Sequence, residues 1–467
     1  MGKFKFPTAY TILFGLIVVM AALTWVLPAG QYEMVDNEDL GRQVPVSGSY
    51  HEVDPNPQGL TDIFMAPIAG FYDPGSYEAS AIDVALFVLF IGGFLGIVTK
   101  TGAIDTGIAK VTTSLKGKEI MLIPILMILF AAGGTIYGMA EETLAFYALI
   151  IPVIIAAGYD SVTAVAIIML GAGIGTLGST INPFATVIAS QAAGIPFTEG
   201  LSYRLFILVT GLVIGILYVM RYAKMVKNDP SKSLVADMAE SNKKHFLTTD
   251  SSISDNLTGT QNIILLIFSG TFALLVYGVS VLGWWMAEMS ALFLASSILV
   301  AIVARMGEEE FSNTFVEGAR ELLGVALVIG LARGIVVIMD SGNLTGTILY
   351  ASEGMVSGLS EIGFINAMFG VQILLSFFVP SSSGLAVLSM PVMAPLAEFS
   401  GVASHLAVTA FQSASGLVNL VNPTFAVVMG GLAIGRVPYN KWLSFTWPLL
   451  LILAVLIMGT LTVGTIA

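Results

Sequence analysis

Apolar runs of bilayer-spanning length follow one another along almost the whole chain, separated by short polar stretches. Segments 8–29, 81–99, 202–222, 261–283, 286–304, 321–339 and 442–465 are predicted as spanning helices. Two other regions depart from that rhythm. Segments 119–137 and 142–157 are joined only by Gly138-Met-Ala-Glu-Glu-Thr143, and segments 363–379 and 385–399 by Pro380-Ser-Ser-Ser-Gly384. Each pair is predicted as a re-entrant hairpin, 119–157 and 363–399. Stretches 161–195 and 402–435 carry Asn182-Pro183 and Asn422-Pro423 in their middles, so each is predicted as a broken helix, interrupted at 178–183 and 419–424.

Charge orients the path. Only 11% of the 467 residues are charged and 56% are hydrophobic, far from the about 25% charge of soluble domains. Under the positive-inside rule, 16 of the 19 Lys and Arg residues fall on the cytoplasmic side, Arg42 and Arg204 fall outside, and Arg333 falls within a span. That pattern places the N-terminus in the cytoplasm and the C-terminus outside. It makes 30–80 an acidic extracellular loop, 223–259 a cytoplasmic linker and 306–320 a charged segment at the inner surface. Segment 8–29 is read as a retained span, although Leu27-Pro-Ala-Gly30 looks like a cleavage site. There is no cysteine, and His51, His245 and His405 are scattered, so neither thiol chemistry nor a metal site is indicated.

The chain also repeats itself. Phe90-Ile-Gly-Gly-Phe-Leu-Gly-Ile-Val98 matches Val328-Ile-Gly-Leu-Ala-Arg-Gly-Ile-Val336 at an offset of 328 − 90 = 238, and the Asn-Pro pairs stand 422 − 182 = 240 apart. The predicted directions of the two copies are opposite. The fold expected is therefore an all-α polytopic membrane protein of two inverted-topology repeats, each with a hairpin and a broken helix. The first repeat is 1–222, the linker 223–259, a connector helix 260–284, and the second repeat 285–467. Inverted repeats with paired helix breaks point to a transporter's binding site near the midplane.

Candidate chemistry gathers at the tips and breaks. Glu141 and Glu142, with Thr143, are costly in a membrane and could carry a proton or a cationic substrate group. Arg333 could hold a carboxylate bidentately, or pair with the glutamates. Ser381, Ser382 and Ser383 suit ion or carboxylate coordination, or helix capping. Asn182 and Asn422 join these as substrate-contact candidates. Ser179, Thr180, Asn182, Ser415, Asn419 and Asn422 offer neutral oxygens of the kind a hard cation such as Na⁺ takes, or simply interhelical hydrogen bonds. Gly173, Gly175 and Gly178 have dinucleotide-fingerprint spacing without the strand that motif needs. Nothing suggests ATP-driven transport.

Asp62-Ile-Phe-Met-Ala-Pro-Ile-Ala-Gly-Phe71, Gly138-Met-Ala-Glu-Glu-Thr-Leu-Ala145 and the two Asn-Pro segments resemble the YfcC-like branch of the C4-dicarboxylate anaerobic carrier family, within the ion-transporter superfamily. The likeness covers essentially the whole chain. Its bacterial members are described as C4-dicarboxylate carriers and as proposed basic amino acid antiporters. The resemblance implies a bacterial inner-membrane homodimer working by an elevator mechanism. A scaffold of 8–29, 81–116, 286–339 and 344–360 would hold a sliding domain made of both hairpins and both broken helices. It also implies Na⁺ sites at Glu142 and Thr143 with Ser179 and Asn182, and at Ser382 and Ser383 with Ser415 and Asn422. Dicarboxylate relatives carry Ser-Asn-Thr at their tips, where this chain has Glu-Glu-Thr and Ser-Ser-Ser.

The expectation is a secondary active transporter of a small amino acid or carboxylate, foremost a basic amino acid such as arginine or ornithine, by symport or exchange. Na⁺ or H⁺ would be the coupling ion, with no other cofactor. The partners expected are a small molecule, the lipid bilayer and a second subunit, with no nucleic acid. A C4-dicarboxylate carrier is the alternative, and a cation/proton exchanger without organic substrate a further one. An enzyme is not expected, since no nucleophile–base or metal constellation occurs.

Overall fold

The structure is a computed structural model that describes residues 9–37, 42–104, 106, 107, 110, 118–247, 257–356 and 358–466. Its helices run in order α1 Ala9–Leu23, α2 Leu60–Ala69, α3 Ile82–Lys100, α4 Leu122–Tyr137, α5 Thr143–Ala156, α6 Ser161–Leu177, α7 Ile188–Ala192, α8 Leu201–Asn228, α9 Ala239–Phe246 and α10 Gly259–Leu282. They continue with α11 Met286–Ala304, α12 Glu308–Glu321, α13 Leu323–Ser341, α14 Leu344–Val356, α15 Glu361–Phe378, α16 Ser382–Phe399, α17 Ser404–Val418, α18 Ala426–Ile434 and α19 Tyr439–Ile466. Eight helices among the described residues are long and apolar enough to cross a membrane.

The same order of elements occurs twice. Helices α4 and α5 form a hairpin, α6 and α7 the halves of a broken helix, and α8 a long helix. Helices α15 and α16, then α17 and α18, then α19, follow the same order. Helices α6 and α17 pack against each other so closely that a Cβ on Gly416 would lie 2.4 Å from the Leu177 Cα.

Two buried apolar clusters organise the interior. One gathers both hairpins and both broken helices with α1, α13 and α19. The other joins α3, α10 and α11. It is built on Phe94, whose ring stacks on Phe268 at 5.7 Å between centroids and meets Phe293 at 5.3 Å. Phe146 of α5 links the two, with centroids 5.4 Å from Phe130 and 5.0 Å from Phe272. Helix α12 lies along α3, where added Cβ atoms on Gly92 and Gly318 would come within 2.6 and 2.3 Å of each other's backbone carbonyls. Small residues allow such close approach between membrane helices.

Three expectations need correction. The segment 30–80 is not merely a solvated loop. Its residues 60–69 form α2, packed on α1 and α13: Asp62 accepts the Gly59 N–H at 2.8 Å at its start, and Ala66 and Gly70 press against Gly334 and Gly330 of α13. The chain is also not purely helical. Strand β1 (Gly30–Gln31) pairs antiparallel with β4 (His51–Glu52), and β2 (Met34–Asn37) with β3 (Arg42–Pro45). The linker 223–259 is ordered over much of its length: α8 continues to Asn228, and α9 packs on α5. Residues 248–256 of that linker lie outside the described residues.

One buried carboxylate fastens the linker. Asp160 caps α6 by accepting from Thr163 N at 2.9 Å and Thr163 Oγ1 at 2.7 Å. Its other oxygen accepts from Tyr222 of α8 and Ser233 of the linker, both at 2.6 Å. Nearby, Asn242 of α9 donates to Ser161 at 3.1 Å, and Lys227 pairs with Glu119 at 3.3 Å. Asp160→Ala removes a cap and strands buried donors, so a loss of about 2–4 kcal/mol is expected. It should be read as a lowered unfolding midpoint in detergent, with Lys232→Ala, an exposed i,i+3 pair member, near zero.

Candidate functional site

Each helix break frees backbone groups that a bilayer core cannot hydrate, and each is closed by the same device. At the first break, the Asn182 Oδ1 accepts from Phe184 N at 2.8 Å and Ala185 N at 3.2 Å, while its Nδ2 donates to the Gly134 carbonyl of α4 at 3.4 Å. At the second, the Asn422 Oδ1 accepts from Thr424 N at 3.1 Å, and its Nδ2 donates to the Ser376 and Phe377 carbonyls of α15 at 3.1 and 3.2 Å. Asn182 thus caps the helical turn that follows it, Asn422 closes the turn that leads to α18, and each ties its break to the first helix of its own hairpin.

Neighbouring residues complete the accounting. Gln412 donates to the Ser179 carbonyl at 3.0 Å and Ser413 to that of Leu177 at 3.1 Å, so α17 closes the first break. Thr180 N donates to Thr135 Oγ1 at 3.0 Å. At the second break, Trp442 donates to the Leu420 carbonyl at 2.9 Å and Tyr439 to that of Val421 at 2.7 Å. Gln412, Thr135, Tyr439 and Trp442 were not anticipated from the sequence. A polar or amphipathic side chain in an apolar helix is a visible signal, but its partner break is far away in the chain.

Between the tips lies a cavity of about 710 Å³. Of the predicted residues it is lined by Glu141, Glu142, Thr143, Asn182, Ser381, Ser382, Ser383, Asn419 and Arg333. Ser179, Thr180, Ser415 and Asn422 are not among its lining residues. Ser179 is buried against Thr186, 2.8 Å between hydroxyls; Thr180 lies 3.1 Å from Thr135; Ser415 reaches Ser382 at 3.4 Å. Asn182 and Asn422 spend their amide oxygens on backbone N–H groups of the breaks. The buried Asn419 Oδ1, by contrast, has no hydrogen-bond partner. Asn419 is the predicted cation ligand that lines the cavity with its amide oxygen unpaired.

The walls set the chemistry. Glu142 is 4% exposed, and its carboxylate accepts the Ala140 N–H at 2.9 Å, holding the tip turn. Glu141 lies beside it. Among the described residues no ion pair within 4.0 Å joins Arg333 to either glutamate; the Arg333 Nε donates instead to Ser80 at 3.3 Å. Ser381 caps α16 through the Gly384 N–H at 3.2 Å. The first residues of α5, α16 and α18, namely Thr143, Ser382 and Ala426, all line the cavity, so three helix N-termini face it. Ser80, Asp83, Phe184 and Trp285 also line it. Asp83 was the detectable omission, because a carboxylate inside a predicted span is itself a functional signal.

The family profile of the C4-dicarboxylate anaerobic carriers (DcuC) matches residues 6–466. This chain belongs to the DcuC family. Among DcuC-like relatives, an uncharacterized protein of Haemophilus influenzae is 34% identical over 488 residues, covering 96% of this chain and 94% of that one. A protein of Escherichia coli K12 provisionally named a basic amino acid antiporter, YfcC, is 31% identical over 474 residues, covering 95% and 93%. The solved structure of Neisseria gonorrhoeae MtrF, described within a class of antimetabolite efflux pumps, aligns over 99% of this chain and 96% of that one, at 16% identity and a TM-score of 0.40. The DcuC family and the apolar helices make the chain a multi-pass membrane transporter.

If the two carboxamides hold the breaks, Asn182→Ala and Asn422→Ala should each lower stability by about 1–3 kcal/mol through lost caps and unpaired carbonyls. Chemical denaturation in detergent would measure this; unchanged midpoints in both variants would contradict the role.

Proposed function

We propose that this DcuC-family transporter carries a basic amino acid, arginine- or ornithine-like, by secondary active transport. The carrying observation is the charge of the cavity wall. Asp83, Glu141 and Glu142 stand against Arg333 alone, a formal sum of −3 + 1 = −2 when all are ionised. A doubly anionic substrate would meet that field with repulsion, and a substrate with two cations and one carboxylate fits it. The glutamate tip takes an ammonium group. Arg333, or the Ser381–Ser383 tip at the N-terminus of α16, takes the carboxylate. Asn419, with its free oxygen, is the best-placed protein ligand for a coupling Na⁺; a glutamate is the site for a coupling H⁺.

The mechanism proposed is elevator exchange or symport within a homodimer in the bacterial inner membrane. The twice-occurring element order supports two repeats, and the scaffold proposed is 8–29, 81–116, 286–339 and 344–360, beside a moving body of hairpins and broken helices. The Lys and Arg distribution supports a cytoplasmic N-terminus and an extracytoplasmic C-terminus.

A C4-dicarboxylate carrier is the second reading. The family's description supports it, and so do the three helix N-termini facing the cavity. A cation/proton exchanger would need no more than the carboxylates. Proteoliposome uptake of arginine, ornithine, succinate and fumarate, with and without Na⁺ and pH gradients, separates the three. Basic amino acid uptake is expected, and Glu141→Gln should raise its KM by about tenfold or more, the loss of one charge-assisted contact. Uptake of dicarboxylates only would replace this reading with the second. Gradient-driven Na⁺ flux without substrate would replace it with the third.

A further inference from the structure

The carboxylates of the cavity do not sit on one element. Glu141 and Glu142 belong to the first hairpin tip, whereas Asp83 lies in the first turn of α3. We propose that Asp83, Trp285 and Phe184 form a separate subsite for an organic cation, the guanidinium or ammonium at the end of a basic side chain. This rests on the basic amino acid reading and assigns the residues that would distinguish a basic side chain from a neutral one.

The three residues come from three places: α3, the residue before α11, and the π-helical segment Pro183–Val187 that follows the first helix break. All line the cavity. The Trp285 indole N–H donates to Asp83 Oδ2 at 3.2 Å, and the Val84 N–H donates to Asp83 Oδ1 at 2.8 Å. Each oxygen thus keeps a lone pair for a further donor. No Lys or Arg described in the structure pairs with Asp83 within 4.0 Å. The Phe184 and Trp285 rings stand 5.7 Å apart between centroids, tilted by 47°, and are 37% and 44% exposed. Two accessible aromatic rings beside a carboxyl group with free lone pairs attract a weakly hydrated organic cation. A small metal ion keeps its water and gains less from such faces.

The arrangement also matches the count of charges on the ligand. A basic amino acid carries an ammonium, a carboxylate and a side-chain cation. Glu141 takes the first. Arg333, held by Ser80 three residues before Asp83, or the serine tip takes the second. Asp83 takes the third. Because Asp83 and Trp285 belong to the α3/α10/α11 side and Phe184 to the broken helix, the bound cation would bridge the two bodies.

The test is competition against labelled L-arginine uptake in proteoliposomes, comparing unlabelled L-arginine with L-citrulline, its uncharged analogue, in the wild type and in Asp83→Asn, Asp83→Glu and Trp285→Leu. The preference is a ratio within one variant, so it does not depend on how much protein folds. Wild type should prefer arginine to citrulline by about tenfold or more, the scale of a charge-assisted contact. Asp83→Asn should collapse that preference towards one, Trp285→Leu should weaken it, and Asp83→Glu should keep most of it. Full preference retained in both Asp83→Asn and Trp285→Leu would overturn the subsite while leaving the basic amino acid reading intact. Absence of any competition by arginine, ornithine or lysine in the wild type would overturn that reading and the subsite with it.

Discussion

A carboxamide at each helix break is the interaction on which the rest depends. An interrupted helix at bilayer depth leaves N–H and C=O groups without water. Asn182 and Asn422 answer both needs at once, since one amide accepts from the backbone that follows the break and donates to the hairpin that precedes. A serine or an aspartate at that position could cap, but neither could also donate to a carbonyl in the same geometry with the same neutral charge. Pro183 costs nothing at the first break, because a first helical position has no N–H bond to lose. Hairpin and broken helix are thereby made one unit, and the tips are held where a cavity can form between them.

On that duplicated frame the walls differ. The first tip carries Glu141 and Glu142, the second three serines, and the side formed by α3, α11 and α13 adds Asp83, Trp285 and Arg333. The frame is duplicated, while the side chains that line the cavity are not. The breaks also lean on one another: Gln412 and Ser413 of the second close carbonyls of the first. Movement of one broken helix without the other would unpair them, which favours their travelling together.

Much of this was legible in the chain because bilayers impose long apolar runs, and departures from them stand out. The hairpin tips and the interruptions at 178–183 and 419–424 were found that way, and most of the tip residues reach the cavity. The helix α2 is not legible, because a mostly apolar stretch of ten residues inside an acidic segment falls short of a span and its packing on α13 depends on Gly330 and Gly334, distant in sequence. The roles of Asn182 and Asn422 were half legible. Their placement marked the breaks, but only distances show that their polar atoms are spent on the backbone. Asp83 was passed over because attention went to the breaks, although a carboxylate in a span carried the same signal as the glutamates.

The most direct measurement is the cryo-EM structure of the protein in lipid nanodiscs with saturating L-arginine. The account predicts ligand density in the cavity between Glu141 and the Ser381–Ser383 tip, with Asn182 and Asn422 still bonded to the backbone of their breaks. Density at any other place, or a cavity left empty under conditions where uptake is measured, would contradict it.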